Sequence, residues 1–141
     1  MRKTPLFVLD CSVTMAWILL EDSMTEKANT ILSLFKEEAQ AKVPSIWAFE
    51  VANVLCHAEK VKKISALESA EFKEFLAALP IHTENTTPLR AMGSIYTLAK
   101  SEQLTIYDAA YLELASRESL PLATFDKALR KAAERMDIVL L

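Results

Sequence analysis

The sequence predicts an α/β protein, an α/β/α sandwich in which a short central parallel sheet carries helices on both faces. Short apolar segments of strand length alternate with longer segments in which apolar residues recur at helical spacing. Strands separated by helices pair in parallel, and the helices then cover the sheet. The 141 residues are 52% hydrophobic with a net charge of −3, which supports a folded core rather than disorder. The length fits one domain over residues 1–141.

The predicted strands are short apolar segments bounded by acids or turn residues. The first, Leu6–Leu9, ends directly at Asp10, and the second ends at Pro44, which disfavours helix in the residue before it. We expect strands over residues 6–9, 42–44, 80–83, 121–124 and 138–141.

Between these strands, hydroxyl residues and acids mark the helix starts. Ser65 and Glu68 form a capping box, in which a hydroxyl and a carboxylate each satisfy one unpaired backbone N–H. Ser23 begins a second such pattern, and Pro88 has the first helical position that proline favours. Ser45 is expected to cap a long helix. We expect helices over about residues 12–20, 23–35, 45–62, 65–79, 87–101, 105–117 and 126–135.

The composition excludes several function classes. With Gly93 as its one glycine, the chain has no Gly-rich loop to hold a phosphate. The slightly acidic balance argues against a passive nucleic-acid coat, though not against an enzyme whose acids bind cations. The longest apolar run has six residues, far short of the ~20 that cross a membrane, and we expect no secretory signal. Because Cys11 and Cys56 lie far apart, we expect free thiols and a cytoplasmic location without membrane attachment.

Four acids stand where a ligand site would form. Asp10 follows the first strand, and Asp126 comes two residues after Thr124 at the end of a later one. Ligands of open parallel sheets bind outside these carboxyl ends. Asp108 lies in the first turn of a helix, and Glu50 interrupts an apolar helix face, which is costly without a partner. Local alternatives stay open, because the aspartates could simply favour helix starts and Glu50 could reach a lysine or solvent.

Converging carboxylates favour metal-ion chemistry. Without a cation they repel one another, and hard oxygen ligands suit Mg²⁺ or Mn²⁺. One or two such ions could lower the pKa of a bound water and neutralise charge on a phosphoryl oxygen. Phosphodiester hydrolysis by this route needs neither a histidine nor a Gly-rich loop. Ser12 and Thr124 lie beside two of the acids, where they could orient a carboxylate or a metal-bound water, or act only as local caps.

Four segments, taken in order, resemble the PIN domain and more specifically a VapC-type toxin. Their sequences are FVLDCS at residues 7–12, IWAFEVANVL at 46–55, YDAAYLELA at 107–115 and LATFDKAL at 122–129. The resemblance spans nearly the whole chain and implies a PIN-like α/β/α sandwich. It also implies an endoribonuclease that depends on Mg²⁺ or Mn²⁺ and forms the toxin of a toxin–antitoxin pair.

The resemblance also assigns roles to individual residues. It implies that Asp10, Glu50, Asp108 and Asp126 bind the metal and that Ser12 and Thr124 support them. It further implies an RNA substrate, a homodimer and a cognate antitoxin that blocks the site. One position departs from the pattern, because some PIN nucleases add an acid shortly after the fourth, whereas Lys127, Ala128 and Leu129 follow here. The number of metal ions is therefore left open.

Two other functions remain possible from the sequence. A receiver-like signalling module would also combine Mg²⁺ with acids, with Thr124 and Lys127 as switch residues. Against it, Asp10 precedes Cys11 rather than a second acid, and no aspartate ends a middle strand. A PIN-like fold kept only for protein binding is the other alternative.

Basic and aromatic residues have two interpretations each. The basic residues could form a solvated surface or contact RNA phosphates; they are Lys60, Lys62, Lys63, Lys127, Arg130, Lys131 and Arg135. The tryptophans and tyrosines, Tyr111 among them, are expected in the core or at an interface rather than in base stacking.

Overall fold

A parallel sheet forms the centre of the fold. The computed structural model describes residues 4–19 and 22–141. In these residues the sheet has four strands in the order β3-β2-β1-β4, all parallel. The strands are β1 Leu6–Leu9, β2 Gln40–Pro44, β3 Ile81–Glu84 and β4 Leu122–Ala123. Helices flank the sheet, which confirms the predicted α/β fold.

The helices lie close to their predicted positions. Over the described residues they are α1 Cys11–Leu19, α2 Asp22–Ser33, α3 Ile46–Lys60, α4 Ala66–Ala78, α5 Pro88–Arg90, α6 Tyr96–Glu102, α7 Ile106–Glu118 and α8 Lys127–Arg135. A 3₁₀ turn follows α2 at Leu34–Glu37, and a π-helical turn at Ala91–Ile95 joins α5 to α6. Leu20, the predicted end of the first helix, lies outside the described residues.

Local capping determines several of these starts. The capping box of Ser65 and Glu68 is present, with both hydrogen bonds at 3.0 Å. Thr105 caps α7 by accepting a hydrogen bond from the Asp108 backbone N–H at 3.1 Å. Asp126 caps α8 in the same way, since its Oδ1 accepts from the Leu129 N–H at 2.8 Å.

Three local expectations are wrong. Ser45 does not cap α3, because its hydroxyl donates to the Glu84 carbonyl at 3.1 Å and accepts from the Thr86 N–H at 2.9 Å. Its side chain therefore ties the end of β3 to the start of α3. Ser23 does not begin α2, which is already helical at Asp22. The last predicted strand is reduced to one parallel bridge between Leu140 and Leu122, because β4 offers only two residues for pairing.

Helix α7 is the central packing element. It contacts β1, β2 and β4, and its residues 109–115 are all buried. The strand residues Phe7, Val8 and Leu9 are almost inaccessible to solvent. This packing holds the first turn of α7, with Asp108, in a fixed relation to the sheet.

In the part of the chain that the structure describes, every helix is too short or too polar to span a bilayer.

Candidate active site

Asp10 stands at the carboxyl end of β1, held by two hydroxyl groups. Its Oδ2 accepts hydrogen bonds from Ser12 Oγ at 2.6 Å and from Thr124 Oγ1 at 2.7 Å. The residue is 4% exposed, and its backbone N–H pairs with the Ala123 carbonyl at 3.0 Å. Burial raises the pKa of Asp10 and outweighs these hydrogen bonds, which lower it. Strand pairing and two hydroxyls thus fix this carboxylate where β1 and β4 end.

The same hydroxyls connect Asp10 to the start of α8. Thr124 Oγ1 accepts from the Asp126 N–H at 3.1 Å, and Ser12 Oγ accepts from the Phe125 N–H at 3.0 Å. The two hydroxyl oxygens are themselves 3.4 Å apart. Each hydroxyl therefore donates to the carboxylate while it accepts from the loop between β4 and α8. Asp126, which begins α8, is brought to the Asp10 side of the sheet by this network.

Glu50 comes from the second turn of α3 and is half-buried. Its Oε1 accepts a hydrogen bond from the Tyr111 hydroxyl of α7 at 2.6 Å. Burial is the main cause that raises the pKa of Glu50, the Tyr111 hydrogen bond lowers it, and the charges of Asp10 and Asp108 raise it further. The acid on the apolar helix face is therefore paired with a buried phenol, not with a lysine.

Asp108 lies in the first turn of α7, where the helix dipole favours a negative charge. Burial, and then the charges of Asp126 and Asp10, raise the pKa of Asp108 to about 6. The thiol of Cys11, next to Asp10, is affected by the same negative charges. Burial, and then the charges of Glu50 and Asp10, raise the pKa of Cys11 to about 12. A negative potential thus extends over this end of the sheet.

The four carboxylates share one electrostatic environment. The charge of Asp126 raises the pKa of Asp10, and the charges of Asp10 and Asp108 raise that of Glu50. The charges of Asp126 and Asp10 likewise raise the pKa of Asp108. These acids lie far apart in sequence, and the fold brings them from β1, α3, α7 and α8 to a common region. Asp10 alone is deeply buried; the other three carboxylates are half-buried.

This donor set fits a divalent cation in chemistry and charge. Carboxylate oxygens are the ligands that Mg²⁺ and Mn²⁺ prefer, and carboxylates of like charge repel one another unless a cation screens them. As the side chains stand, no group of three or more His, Cys, Asp or Glu among the described residues could hold a metal ion.

Two residues make contacts near the acids that the sequence did not predict. Tyr111 was expected only as a core or interface residue, and its ring is indeed buried at 0% exposure, but its hydroxyl contacts Glu50. Arg130 reaches from α8 to the Thr124 carbonyl, to which its Nη1 donates at 2.7 Å. For Tyr111 the available signal was its place three residues after Asp108, which puts both on one side of α7.

The basic residues divide into tethered and exposed groups. Arg135 pairs with Glu102 at 2.7 Å, and Arg130 is held by Thr124. Lys127 and Lys131 on the same helix are exposed. A second set of exposed lysines lies at and just beyond the end of α3; it consists of Lys60, Lys62 and Lys63.

A family model matches most of the chain. The model of the PIN domain matches residues 7–135. The chain belongs to the PIN domain family. Proteins of this family are generally nucleases.

Solved structures support the fold assignment. A Pyrobaculum aerophilum protein, PAE2754, is 20% identical with a TM-score of 0.69, over 97% of this chain and 83% of the other. Rickettsia felis VapBC2, solved with a DNA fragment from its promoter, is 13% identical with a TM-score of 0.66, over 96% and 97%. A toxin–antitoxin complex from Klebsiella pneumoniae is 18% identical with a TM-score of 0.60, over 85% and 86%. No curated protein sequence matches the chain.

Proposed function

We propose that this PIN domain is an endoribonuclease dependent on Mg²⁺ or Mn²⁺ and acts as the VapC-type toxin of a toxin–antitoxin pair. The observation that carries the proposal is the shared electrostatic environment of four carboxylates at the end of β1 and β4. Family membership supports nuclease activity, because PIN domains are generally nucleases. The VapC-like motifs and the structural likeness to a toxin–antitoxin complex favour the toxin role.

In this proposal Asp10, Glu50, Asp108 and Asp126 hold the cation. When bound, the cation lowers the pKa of a water and neutralises negative charge on the scissile phosphate. Ser12 and Thr124 keep Asp10 in place by donating to one of its oxygens. Because Asp10 is almost inaccessible to solvent, it holds a fixed position in this site.

RNA is the proposed substrate, and exposed cations beside the acids support it. A phosphodiester approaching an acidic pocket needs positive charge around it. Lys127 and Lys131 are exposed on α8, the helix that Asp126 caps. In this proposal they contact backbone phosphates, which predicts binding that weakens as salt concentration rises.

An apolar cavity beside Asp10 supports the antitoxin proposal. The cavity has a volume of about 170 Å³, and its walls come from α1, α2 and the start of the β4–α8 loop. They are formed by Ser12, Met15, Ala16, Leu19, Met24 and Phe125. Because Ser12 both lines the cavity and contacts Asp10, a chain bound there would lie against the acids and block them.

A homodimer is the proposed assembly, and several exposed apolar residues support it. Phe49 on α3, Leu89 on α5 and Met92 on the π-helical turn are 74%, 85% and 74% exposed. Tyr96 and Tyr107 add exposed rings on α6 and α7. The π-helical turn, α6, α7 and Ile46 of α3 share a small core cluster of Ile95, Ala99, Ala109 and Ala110, and α5 contacts the π-helical turn. Grouped exposed apolar residues favour a protein interface, and a second copy of the chain is the partner we propose.

A cytoplasmic location stays a prediction of the sequence.

Cleavage of total RNA tests the enzymatic proposal. We expect the purified chain to cut RNA in the presence of Mg²⁺ or Mn²⁺, with loss of cleavage in excess chelator. The variants D10N and D108N should lower the rate by on the order of 100-fold or more, since each removes one charge that stabilises the reaction. E71Q is the matched control, because Glu71 is an exposed acid on α4.

The result that would contradict the proposal is cleavage by D10N and D108N at the rate of the unaltered chain. Membership in the PIN family sets the receiver-like alternative aside. If the unaltered chain cuts no RNA under any cation, a PIN-like module that only binds protein becomes the better description. Co-expression with the neighbouring reading frame would then still reveal a protein partner.

A further inference from the structure

Tyr111 makes the one hydrogen bond that the described residues give to Glu50. Its hydroxyl lies 2.6 Å from Glu50 Oε1, and the residue is completely buried. No described residue donates a hydrogen bond to the second carboxylate oxygen, Oε2. The two partners come from different helices, α3 and α7, and are separated by 61 positions in the chain. The contact therefore depends on the tertiary fold.

The two oxygens of Glu50 thus have different surroundings. A phenol is protonated at neutral pH and donates one hydrogen bond, so Oε1 is occupied by a donor that holds its position. A glutamate side chain otherwise loses considerable rotamer freedom when it is immobilised. Because the Tyr111 ring is packed in the core, it keeps the carboxylate immobilised before any ligand arrives.

We propose that Tyr111 is the positioning residue of Glu50, holding Oε1 by its hydroxyl so that Oε2 serves the divalent cation. This inference rests on the proposed function, since it assigns the cation to the same four acids. Groups that hydrogen-bond to metal ligands orient them, and their loss weakens metal affinity or activity by roughly 10–100-fold. Tyr111 contacts neither substrate nor cation in this arrangement and acts through Glu50 alone.

A purely structural role for the hydroxyl makes different predictions. Buried hydroxyls generally find an acceptor, and Glu50 could be only the nearest one. In that case removal of the hydroxyl would lower stability and leave the affinity for the cation unchanged. The decisive readout is therefore cation affinity, measured separately from stability and from RNA cleavage.

The test compares Y111F with S69A by titration calorimetry with Mn²⁺. Y111F removes one oxygen and keeps the buried ring, whereas S69A removes a buried hydroxyl from α4, which contributes none of the four acids, and provides the matched control. We expect Y111F to weaken Mn²⁺ binding by roughly 10–100-fold and S69A to leave it unchanged. In kinetic assays we expect Y111F to lower kcat while KM for RNA stays constant.

A double-mutant cycle tests the dependence on Glu50. If Tyr111 acts through that carboxylate, Y111F should add less than about 2-fold to the loss of Mn²⁺ affinity in an E50Q background. Additive losses in E50Q and Y111F would overturn the inference. Should Y111F fail to fold, E50D decides, because it shortens the side chain away from the hydroxyl and leaves the ring intact. E50D that binds Mn²⁺ as the unaltered chain does would overturn the inference.

The two proposals fail in different ways. If the unaltered chain binds neither Mg²⁺ nor Mn²⁺, the proposed function fails and the role of Tyr111 fails with it. If the unaltered chain binds Mn²⁺ and Y111F binds it equally well, only the role of Tyr111 fails. Circular dichroism of each variant confirms that the fold is retained.

Discussion

Neutralising Asp108 should stabilise the protein when no divalent cation is present. Asp108 carries its charge next to Asp126 and Asp10, and it is half-buried. A cation would compensate this repulsion, so its cost is visible only after metal is removed. The variant D108N keeps the size of the side chain and removes the charge. We therefore expect it to unfold at higher denaturant concentration than the unaltered chain in excess chelator.

The size of this effect follows from the pKa shift. Burial, and then the neighbouring charges, raise the pKa of Asp108 to about 6, and each pKa unit corresponds to about 1.4 kcal/mol. Because the side chain is half-exposed, solvent screening reduces the stability effect to about 1–2 kcal/mol. Loss of the favourable charge at the start of α7 offsets about 0.5 kcal/mol of this gain. The net gain is about 1 kcal/mol, or roughly 3–5 °C in Tm.

The pH dependence identifies the cause. Between about pH 4 and pH 6 the folded state keeps a proton on Asp108 that the unfolded state has released. The folded state then binds more protons, so the contribution of Asp108 to the free energy of unfolding falls as pH rises through this window. The stability difference between D108N and the unaltered chain should therefore be small near pH 4 and reach its full value above about pH 6.

Urea denaturation with excess chelator, repeated from pH 4 to pH 8, measures this difference. E71Q is the control for the loss of an acid outside the site. Added Mg²⁺ should reverse the order of stability, because it binds the folded form of the unaltered chain more tightly. Repulsion at Asp108 is ruled out as the cause if D108N is no more stable at pH 7.5 in chelator, or if its gain does not change with pH.

Two further predictions concern the groups around the acids. T124V removes the hydroxyl that donates to the Asp10 carboxylate, and it should lower the free energy of unfolding by about 1.5–3 kcal/mol. T124S keeps a hydroxyl and should restore most of that loss. A T124V variant as stable as the unaltered chain in urea denaturation would contradict a stabilising role for this hydrogen bond. Cys11 is buried with its pKa raised to about 12, whereas Cys56 is exposed, so a thiol reagent at pH 8 should modify one equivalent rapidly and the second only after unfolding. Two rapidly reacting thiols in the folded protein would contradict the burial of Cys11.

Features that depend on nearby residues were predictable from the sequence. The strand Leu6–Leu9 is apolar throughout and ends at an acid, so its position follows from the pattern. The caps at Ser65, Thr105 and Asp126 involve partners three residues away, within the range of capping patterns. Alternation of strands and helices then predicts a parallel sheet, which the structure confirms.

Features that depend on distant partners were not predictable. Ser45 was interpreted as a cap, but its hydroxyl bonds to residues about forty positions away, at Glu84 and Thr86. The Glu50–Tyr111 contact spans a still longer stretch of chain, and no local pattern assigns a partner to either side chain. The prediction of a last strand over residues 138–141 was wrong for a related reason, since pairing at Leu140 depends on how far β4 extends. Such contacts require the relative placement of whole helices and strands.

A crystal of the protein soaked in Mn²⁺ provides the most direct test, because anomalous scattering locates the ion without reference to activity. We expect an anomalous peak coordinated by carboxylate oxygens of Asp10 and at least one of Glu50, Asp108 and Asp126. Absence of a peak at saturating Mn²⁺, or a peak bound only by acids elsewhere on the surface, would contradict the proposal that these side chains form one cation site.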